Sequence, residues 1–298
     1  MPEERISRIL AAAGIASRRG ADELVAAGRV TIDGRPASLG ERADPVQSVV
    51  AVDGRPVGPA QALVHLALHK PAGVTATVAD RHAARTVLDL VPPGLVPPAT
   101  RLYPVGRLDR DSEGLLLLTN DGPWADRVIH PRGGVEREYA VAVTRPLARE
   151  ALDALAAGVR LEEGLARVIS IRHQAATETV RLGELLDPLP APGLAWYRLV
   201  LAQGWKRQVR RMLAAVGAPV ARLVRVRIGT VRLDDLESGA VRELTTIEVE
   251  RLAGSPSRVP AGTRSMTGAP AGGSSATVVA AERPRASRRA SGRPRPHG

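Results

Sequence analysis

The feature that most constrains this chain is a run of four leucines, Leu115–Leu118, between a polar loop and a turn. A short apolar run with turn residues at both ends is typical of a buried strand. The Asn-Asp-Gly sequence at 120–122 supplies a tight turn after the run, and Gly106 permits a tight backbone approach before it. The stretch from Tyr103 to Gly122 therefore predicts a core strand with a charged loop at its entrance.

Two carboxylates occupy that loop, Asp109 and Asp111. A carboxylate at the mouth of a core strand is suited to act as an acid, a base or a nucleophile. Neighbouring aspartates are equally suited to cap turns or to bind a cation. The residues alone leave these interpretations open.

The rest of the central region mixes strand and helix patterns. Alternating apolar residues predict a strand within 63–75 that turns at Pro71-Ala-Gly73, and further strands are predicted at 138–144 and 196–201. Helical spacing predicts helices over 148–157 and 208–215. Because these elements do not alternate as regular βαβ units, they indicate an α+β domain with a mainly antiparallel mixed sheet flanked by helices. We assign this domain to residues 61–252.

The N-terminal residues have a different pattern. Apolar residues at helical spacing between Arg5 and Gly28, interrupted at Gly14, predict two short helices. Two β-branched runs follow at 29–35 and 49–55, and each contains Asp-Gly, a tight-turn signal. A helical hairpin followed by small strands forms a compact unit, so residues 1–60 are predicted to be a separate small domain.

Positive charge is concentrated at the C-terminal end of the sequence. The formal net charge is +11, and residues 254–298 contribute +7 of it, from eight arginines and one glutamate. This segment is mostly Gly, Pro, Ser, Ala and Arg, which bury too little apolar surface to offset the entropy of ordering, so 253–298 is predicted to be a disordered basic tail. The charge favours a polyanionic partner. Biased arginine codon usage and a dispensable extension are the alternatives.

The absence of cysteine excludes disulfides, thiolate metal sites and a cysteine nucleophile, and it is typical of a reducing compartment. The sequence contains no run of about 20 apolar residues, so we expect no membrane contact and a cytoplasmic location. His65 and His69 have a spacing that suits a metal on a helix, but the strand pattern around them argues against one. No metal site is predicted.

Three N-terminal segments form a recognisable sequence motif when taken together. They are Arg5-Ile-Ser-Arg-Ile-Leu10, Gly14-Ile-Ala-Ser-Arg-Arg19 and Ala27-Gly-Arg-Val-Thr-Ile-Asp-Gly34. They resemble the small RNA-binding domain shared by a small-subunit ribosomal protein and the tyrosyl-tRNA synthetases. Ser17 would begin the second helix, where backbone N–H groups and arginines make a phosphate site, although Gly20 replaces the usual acidic residue. The resemblance implies RNA contacts by Arg5, Ser17, Arg18, Arg19 and Arg29.

The central region carries several motifs in one order. They are Lys70-Pro-Ala-Gly-Val74, Pro104-Val-Gly-Arg-Leu-Asp109, Gly114–Gly122, His130-Pro131, Tyr139 and Gly204-Trp-Lys-Arg-Gln-Val-Arg-Arg-Met212. From about Leu63 to Leu252 the chain resembles the pseudouridine synthases that act on small-subunit and large-subunit rRNA. The resemblance implies isomerisation of a uridine in ribosomal RNA, with the large subunit favoured and no cofactor required.

The same resemblance implies roles for three residues: Asp109 is the expected catalytic carboxylate, Tyr139 the active-site tyrosine and Arg210 the basic partner of Asp109. The chemistry suits these residue types. A carboxylate acts as nucleophile or base while uracil is detached and rejoined through carbon, a guanidinium keeps it ionised, and a tyrosine stacks on the base or assists proton removal. Whether Asp109 attacks the base or the ribose stays open.

A target uridine must leave its helical stack before it can react, and a long planar side chain can fill the gap. Arg107 is predicted to do this, with a structural salt bridge as the alternative. Further RNA contacts are predicted for Lys206, Arg207 and Arg211. The chain departs from the family pattern at four positions: His69, Arg137, Gln203 and Trp205. None of these departures removes a proposed catalytic group, and the property that we expect them to affect is the choice of target uridine.

Two other functions stay open on the sequence. A ribosome-assembly factor that keeps the fold without catalysis would not need Asp109, Tyr139 and Arg210 together. A carboxylate hydrolase acting on nucleosides or sugars would need a second catalytic carboxylate, and Asp111 is close to Asp109 for a separate role. We expect a monomer that binds ribosomal RNA or a ribosome-assembly intermediate.

Overall fold

The computed structural model describes residues 3–78 and 85–254. Its helices are α1 (Ile6–Ala12), α2 (Arg18–Ala26), α3 (Gly122–Ile129), α4 (Arg149–Ala157), α5 (Ala176–Glu184), α6 (Gln208–Ala215) and α7 (Thr246–Gly254). Its strands are β1 (Glu4–Arg5), β2 (Val30–Ile32), β3 (Arg35–Pro36), β4 (Arg42–Ala43), β5 (Val50–Val52), β6 (Arg55–Pro56), β7 (His65–Lys70), β8 (Tyr103–Val105), β9 (Glu113–Thr119), β10 (Arg137–Val143), β11 (Val159–Leu161), β12 (Gly164–Ala166), β13 (Ser170–His173), β14 (Ala195–Leu201), β15 (Val220–Ile228), β16 (Val231–Arg232) and β17 (Val241–Glu243). Single 3₁₀ turns occupy Val87–Leu90 and Pro131–Gly133.

The N-terminal region has its own apolar core, built from α1, α2 and a small sheet of order β3-β2-β5-β6. The Oγ of Ser17 accepts the backbone N–H of Gly20 at 2.9 Å, so Ser17 caps α2 at the position that the sequence predicted. Both predicted Asp-Gly turns form hairpins, β2–β3 and β5–β6. Asp33 and Asp53 adopt positive φ there, as tight hairpin turns of this kind require.

The central region is organised by one large sheet. Within the described ranges, nine strands form it in the order β13-β14-β10-β15-β9-β7-β17, with β16 added to β15 and β8 to β9. The pairing of β9 with β15 is parallel and the others are antiparallel. The predicted α+β class with a mainly antiparallel mixed sheet is therefore confirmed, and α6 has the bounds that the sequence predicted.

The leucine run forms β9 and is buried, as predicted, and its burial extends to both faces of the strand. Leu115–Leu118 have no exposed surface. Leu116 and Leu118 join the apolar cluster that contains Leu66 and Leu68 of β7, while Leu115 and Leu117 join the cluster that contains Trp124 of α3. Because apolar side chains cover both faces of β9, the loop that precedes it is attached to the most deeply buried strand of the sheet.

A close backbone contact fixes the start of β9. Gly114 pairs with Arg225 of β15 and has a φ of 101°. A Cβ at this position would lie 2.2 Å from the carbonyl oxygen of Arg225, so only glycine fits. The parallel pairing thereby holds the C-terminal end of the charged loop against β15.

The C-terminal helix α7 ends at Gly254, so residues 253 and 254, which the sequence analysis assigned to the tail, complete this helix. Leu252 is buried in the same cluster as Trp124, and this packing continues the helix past the predicted boundary. The rest of the predicted disordered tail, 255–298, lies outside the described residues. As a division of the chain into domains, the boundaries at 60 and 252 stay predictions.

Candidate active site

Asp109 lies in the loop between β8 and β9. The loop leaves β8 at Gly106, which has a φ of 77°, and the backbone N–H of Ser112 donates to the carbonyl of Asp109 at 3.1 Å. The Asp109 side chain is 31% exposed. The carboxylate is therefore open to a ligand while its backbone is held by a turn at the entrance of the core strand.

Arg207 joins this loop to the start of α6. Its guanidinium donates two hydrogen bonds to the carboxylate of Asp111, at 2.9 and 3.0 Å, and its Nη1 lies 3.6 Å from Oδ2 of Asp109. These bonds, with the charge of Arg210, hold the pKa of Asp111 below its usual value. Arg207 precedes α6 in the left-handed conformation, with a φ of 51°. One arginine thus contacts both loop carboxylates.

Arg210 reaches the same loop from the first turn of α6. Its Nη2 donates to the carbonyl of Asp111 at 2.8 Å and lies 3.4 Å from both the Asp111 carboxylate and the Ser112 hydroxyl. Within the described residues, the ion pair of Asp109 is with Arg207 instead. The structure therefore brings Arg210 to the loop that carries Asp109. Arg210 contacts Asp111 in this loop, and it is not in direct contact with the Asp109 carboxylate as its predicted partner would be.

A buried lysine lies beneath the loop. Lys70 has no exposed surface, and its Nζ donates to the carbonyls of Pro71 and Val74, each at 2.8 Å, and faces that of Arg110 at 3.4 Å. Burial lowers the pKa of Lys70 to about 8, although the charges of Glu113, Asp111 and Asp109 oppose the shift. From the sequence, Lys70 was predicted only as part of a family motif. Its position at the end of an apolar strand is the signal that could have indicated this buried support.

Tyr139 lies on β10, where it pairs with Arg225 of β15 and Leu199 of β14. Its side chain is partly buried and packs against two apolar clusters, one of which contains Leu108, the residue before Asp109. The strand therefore places Tyr139 on the side of the sheet where the Asp109 loop packs. Its catalytic role stays a prediction.

Apart from Ser17, whose hydroxyl caps α2, the predicted RNA-binding residues divide into two groups. Arg5, Arg18, Arg19, Arg107 and Lys206 are exposed, and their side chains form no hydrogen bond or ion pair within the described residues. Three others are already paired in the protein. Arg29 bonds Asp53, Arg207 bonds Asp111 and Arg211 bonds Glu163.

The four departures from the family pattern all make internal contacts. His69 is buried with its Nδ1 2.8 Å from the carbonyl of Leu236, and Arg137 donates to the carbonyl of Val135. Gln203 accepts hydrogen bonds from the backbone of Arg167 and the amide of Gln208. Trp205 packs against the apolar cluster beneath α6. Their effect on target choice stays a prediction.

The two histidines that could suggest a metal have other contacts. His65 lies 3.4 Å from the carboxylate of Asp121 and packs edge-on against Trp124, while His69 contacts a carbonyl. Across residues 3–78 and 85–254, no cluster of three or more His, Asp or Glu side chains has the arrangement of a metal site. In the same ranges no helix has the length and apolar character needed to cross a membrane.

Comparison with protein families places this geometry in context. The model of the RNA pseudouridylate synthase family matches residues 64–215, and that of the S4 domain matches residues 4–45. A crystal structure of a pseudouridylate synthase superposes with a TM-score of 0.55 at 26% sequence identity, covering 83% of this chain and 99% of the other.

Sequence relatives agree with these matches. An RNA pseudouridine synthase of Mycobacterium leprae is 41% identical over 83% of this chain and 91% of its own length. The ribosomal large subunit pseudouridine synthases B of Vibrio cholerae and Yersinia pestis are 38% and 35% identical, over 74% and 80% of their lengths and 84% and 85% of this chain. With its N-terminal S4 domain, the chain belongs to the RNA pseudouridylate synthase family.

Proposed function

We propose that this pseudouridine synthase modifies a uridine of large-subunit ribosomal RNA, with Asp109 as its catalytic carboxylate and without a cofactor. The observation that carries the proposal is the position of Asp109, a partly exposed carboxylate on a loop tied down by Lys70, Arg207 and Arg210. The choice of the large subunit is supported by relatives from Vibrio cholerae and Yersinia pestis that carry this specificity in their names.

The reaction is an isomerisation. The bond between C1′ and N1 of the uridine breaks, C1′ bonds to C5, and the C5 proton is released while N1 is protonated. Asp109 acts on either the base or the ribose, as nucleophile or base. The Nη1 of Arg207 lies 3.6 Å from this carboxylate and places a positive charge beside it. Tyr139 stacks on the base or assists proton removal. These steps exchange no electrons with an external partner.

The exposed cations are assigned to RNA. Arg107 is exposed two residues before Asp109, at the position from which a side chain can enter the space left by an extruded uridine. Arg18 and Arg19 lie at the N-terminus of α2, where the helix dipole and free N–H groups also favour phosphate. We propose that they hold the rRNA while the central region acts on it, and that the protein works as a cytoplasmic monomer.

The geometry disfavours a hydrolase with two catalytic carboxylates. Asp111 accepts two hydrogen bonds from Arg207, and its pKa is lowered, so it is suited to hold the loop and not to act as a general acid. A non-catalytic assembly factor would bind rRNA without releasing the C5 proton.

Tritium release from ring-labelled uridine tests this proposal. Unmodified transcripts of both ribosomal subunits, labelled at C5, are incubated with the wild-type protein and with Asp109→Ala. Release from the large-subunit transcript alone, abolished by the substitution, is the expected result. Release from the small-subunit transcript alone would overturn the substrate assignment. Tight binding to both transcripts without release would favour an assembly factor.

A further inference from the structure

One buried arginine beside the Asp109 loop has no carboxylate partner. Arg225 lies on β15 and is only 4% exposed. Within the described residues its guanidinium forms no salt bridge, and its Nη2 is buried without a hydrogen-bond partner. Burial of a charged donor without a partner is unfavourable, so stability alone does not explain this arrangement.

The contacts of Arg225 lie at the start of the loop and on β9, the strand that follows it. Its Nε donates to the carbonyl of Leu115 at 2.8 Å, and its Nη1 faces the carbonyl of Arg107 at 3.4 Å. Its backbone pairs with Gly114, where no side chain would fit. One residue therefore contacts the chain both before and after Asp109.

We propose that Arg225 is a positioning residue that holds the start of the Asp109 loop and the following strand β9 at the separation required for the isomerisation. The inference rests on the proposed role of Asp109. Because the carbonyl held by Nη1 belongs to Arg107, Arg225 also fixes the backbone of the side chain assigned to the gap left by the uridine. It thereby sets the position of Arg107 relative to the carboxylate two residues later. Misplacing a reacting group by about 1 Å can cost about 100-fold in rate.

A second buried arginine of β15 provides a matched control. Arg227 is 6% exposed, and its guanidinium bonds the carboxylates of Glu136 and Glu138. These contacts lie away from the Asp109 loop and neutralise the charge of Arg227. Loss of Arg227 removes a buried arginine from the same strand without removing a loop contact.

The test compares Arg225→Met, Arg225→Lys and Arg227→Met in the full chain. Tritium release from the C5-labelled large-subunit transcript gives kcat and KM, and thermal unfolding gives Tm. We expect Arg225→Met to lower kcat by about 100-fold and to change KM by less than about threefold, because the loop contacts matter in the transition state. Arg225→Lys keeps a donor for one carbonyl and is expected to recover about tenfold of the lost kcat. Arg227→Met is expected to lower Tm and to keep kcat within about threefold of wild type.

A wild-type kcat for Arg225→Met would overturn the inference while leaving the proposed function intact. Equal losses of kcat in Arg225→Met and Arg227→Met would also overturn it, because the effect would then follow general destabilisation. If Arg225→Met does not fold, Arg225→Lys decides the matter: a reduced kcat at unchanged Tm supports the inference, and unchanged kcat and KM overturn it. Absence of release by the wild-type protein would instead overturn the proposed function.

Discussion

Two helices each carry a pair of adjacent arginines near their N-terminus, and the two pairs differ in the partners of their side chains. Arg18 and Arg19 begin α2, are exposed, and have no side-chain partner within the described residues. Arg210 and Arg211 lie in the first turns of α6, and each contacts an acidic residue, Asp111 and Glu163 respectively. The Arg-Arg sequence is common to both helices. The acidic residues that distinguish them lie far along the chain.

This difference separates arginines that can bind RNA from arginines that build the site. A free guanidinium offers its full set of donors to a phosphate, whereas one that bonds a carboxylate must exchange that partner first. We therefore expect substitutions of Arg18 and Arg19 to change RNA affinity and substitution of Arg210 to change the chemical step.

Between these two helices, the largest effect is expected at Arg210. Arg210→Ala removes the hydrogen bond to the carbonyl of Asp111 and should lower kcat by about 100-fold, because the loop that carries Asp109 loses a support. Single-turnover tritium release measures this. Arg211→Ala is the matched control and should keep kcat within about threefold, because its partner is Glu163. Equal losses in both variants would break the contrast drawn within α6.

A smaller effect, confined to binding, is expected at α2. Replacing Arg18 and Arg19 together by Ala should raise KM by about tenfold and leave kcat unchanged, since each free cation neutralises one phosphate. The logarithmic dependence of affinity on salt should also become shallower. Arg29→Ala, at a residue already bonded to Asp53, should give a weaker change. An unchanged salt dependence in the α2 variant would show that this helix does not contact RNA.

The two helices also differ in how their N-termini are capped. The Oγ of Ser17 caps this helix, whereas no side chain caps α6. Ser17→Ala should lower the free energy of unfolding of the N-terminal region by about 1 kcal/mol. Chemical denaturation followed by a probe in that region measures the change, and Ser17→Thr should restore most of it.

The two lysines of the sequence divide in the same way as the arginines, since Lys70 is buried and Lys206 is exposed. The pKa of Lys70 is lowered to about 8 in the folded protein. Above that pH the unfolded chain binds more protons than the folded one, so this residue makes unfolding less favourable as the pH rises toward its usual pKa of 10.5. Lys70→Met should remove this contribution from the dependence of stability on pH. An unchanged slope between about pH 8 and 10 would contradict the shift.

Local patterns predicted much of the fold. The burial of Leu115–Leu118, the two Asp-Gly hairpins and the bounds of α6 each follow from a few neighbouring residues. The contacts that hold the Asp109 loop in place join residues far apart in sequence, and the sequence did not predict them. Arg225 meets the loop across more than a hundred residues, and Glu113 pairs with Arg222 inside the sheet. The periodicity of apolar residues does not indicate which buried charged side chains will pair, because that pairing depends on the order of the strands in the sheet.

The central claim is that Asp109 performs the chemistry while its neighbour Asp111 holds the loop. Single-turnover tritium release and RNA affinity, measured side by side for Asp109→Asn and Asp111→Asn, test this claim directly. We predict that Asp109→Asn binds the large-subunit transcript as wild type does and releases no tritium, whereas Asp111→Asn keeps measurable release because it loses only part of the contacts with Arg207 and Arg210. Release by Asp109→Asn at or above the rate of Asp111→Asn would contradict the account.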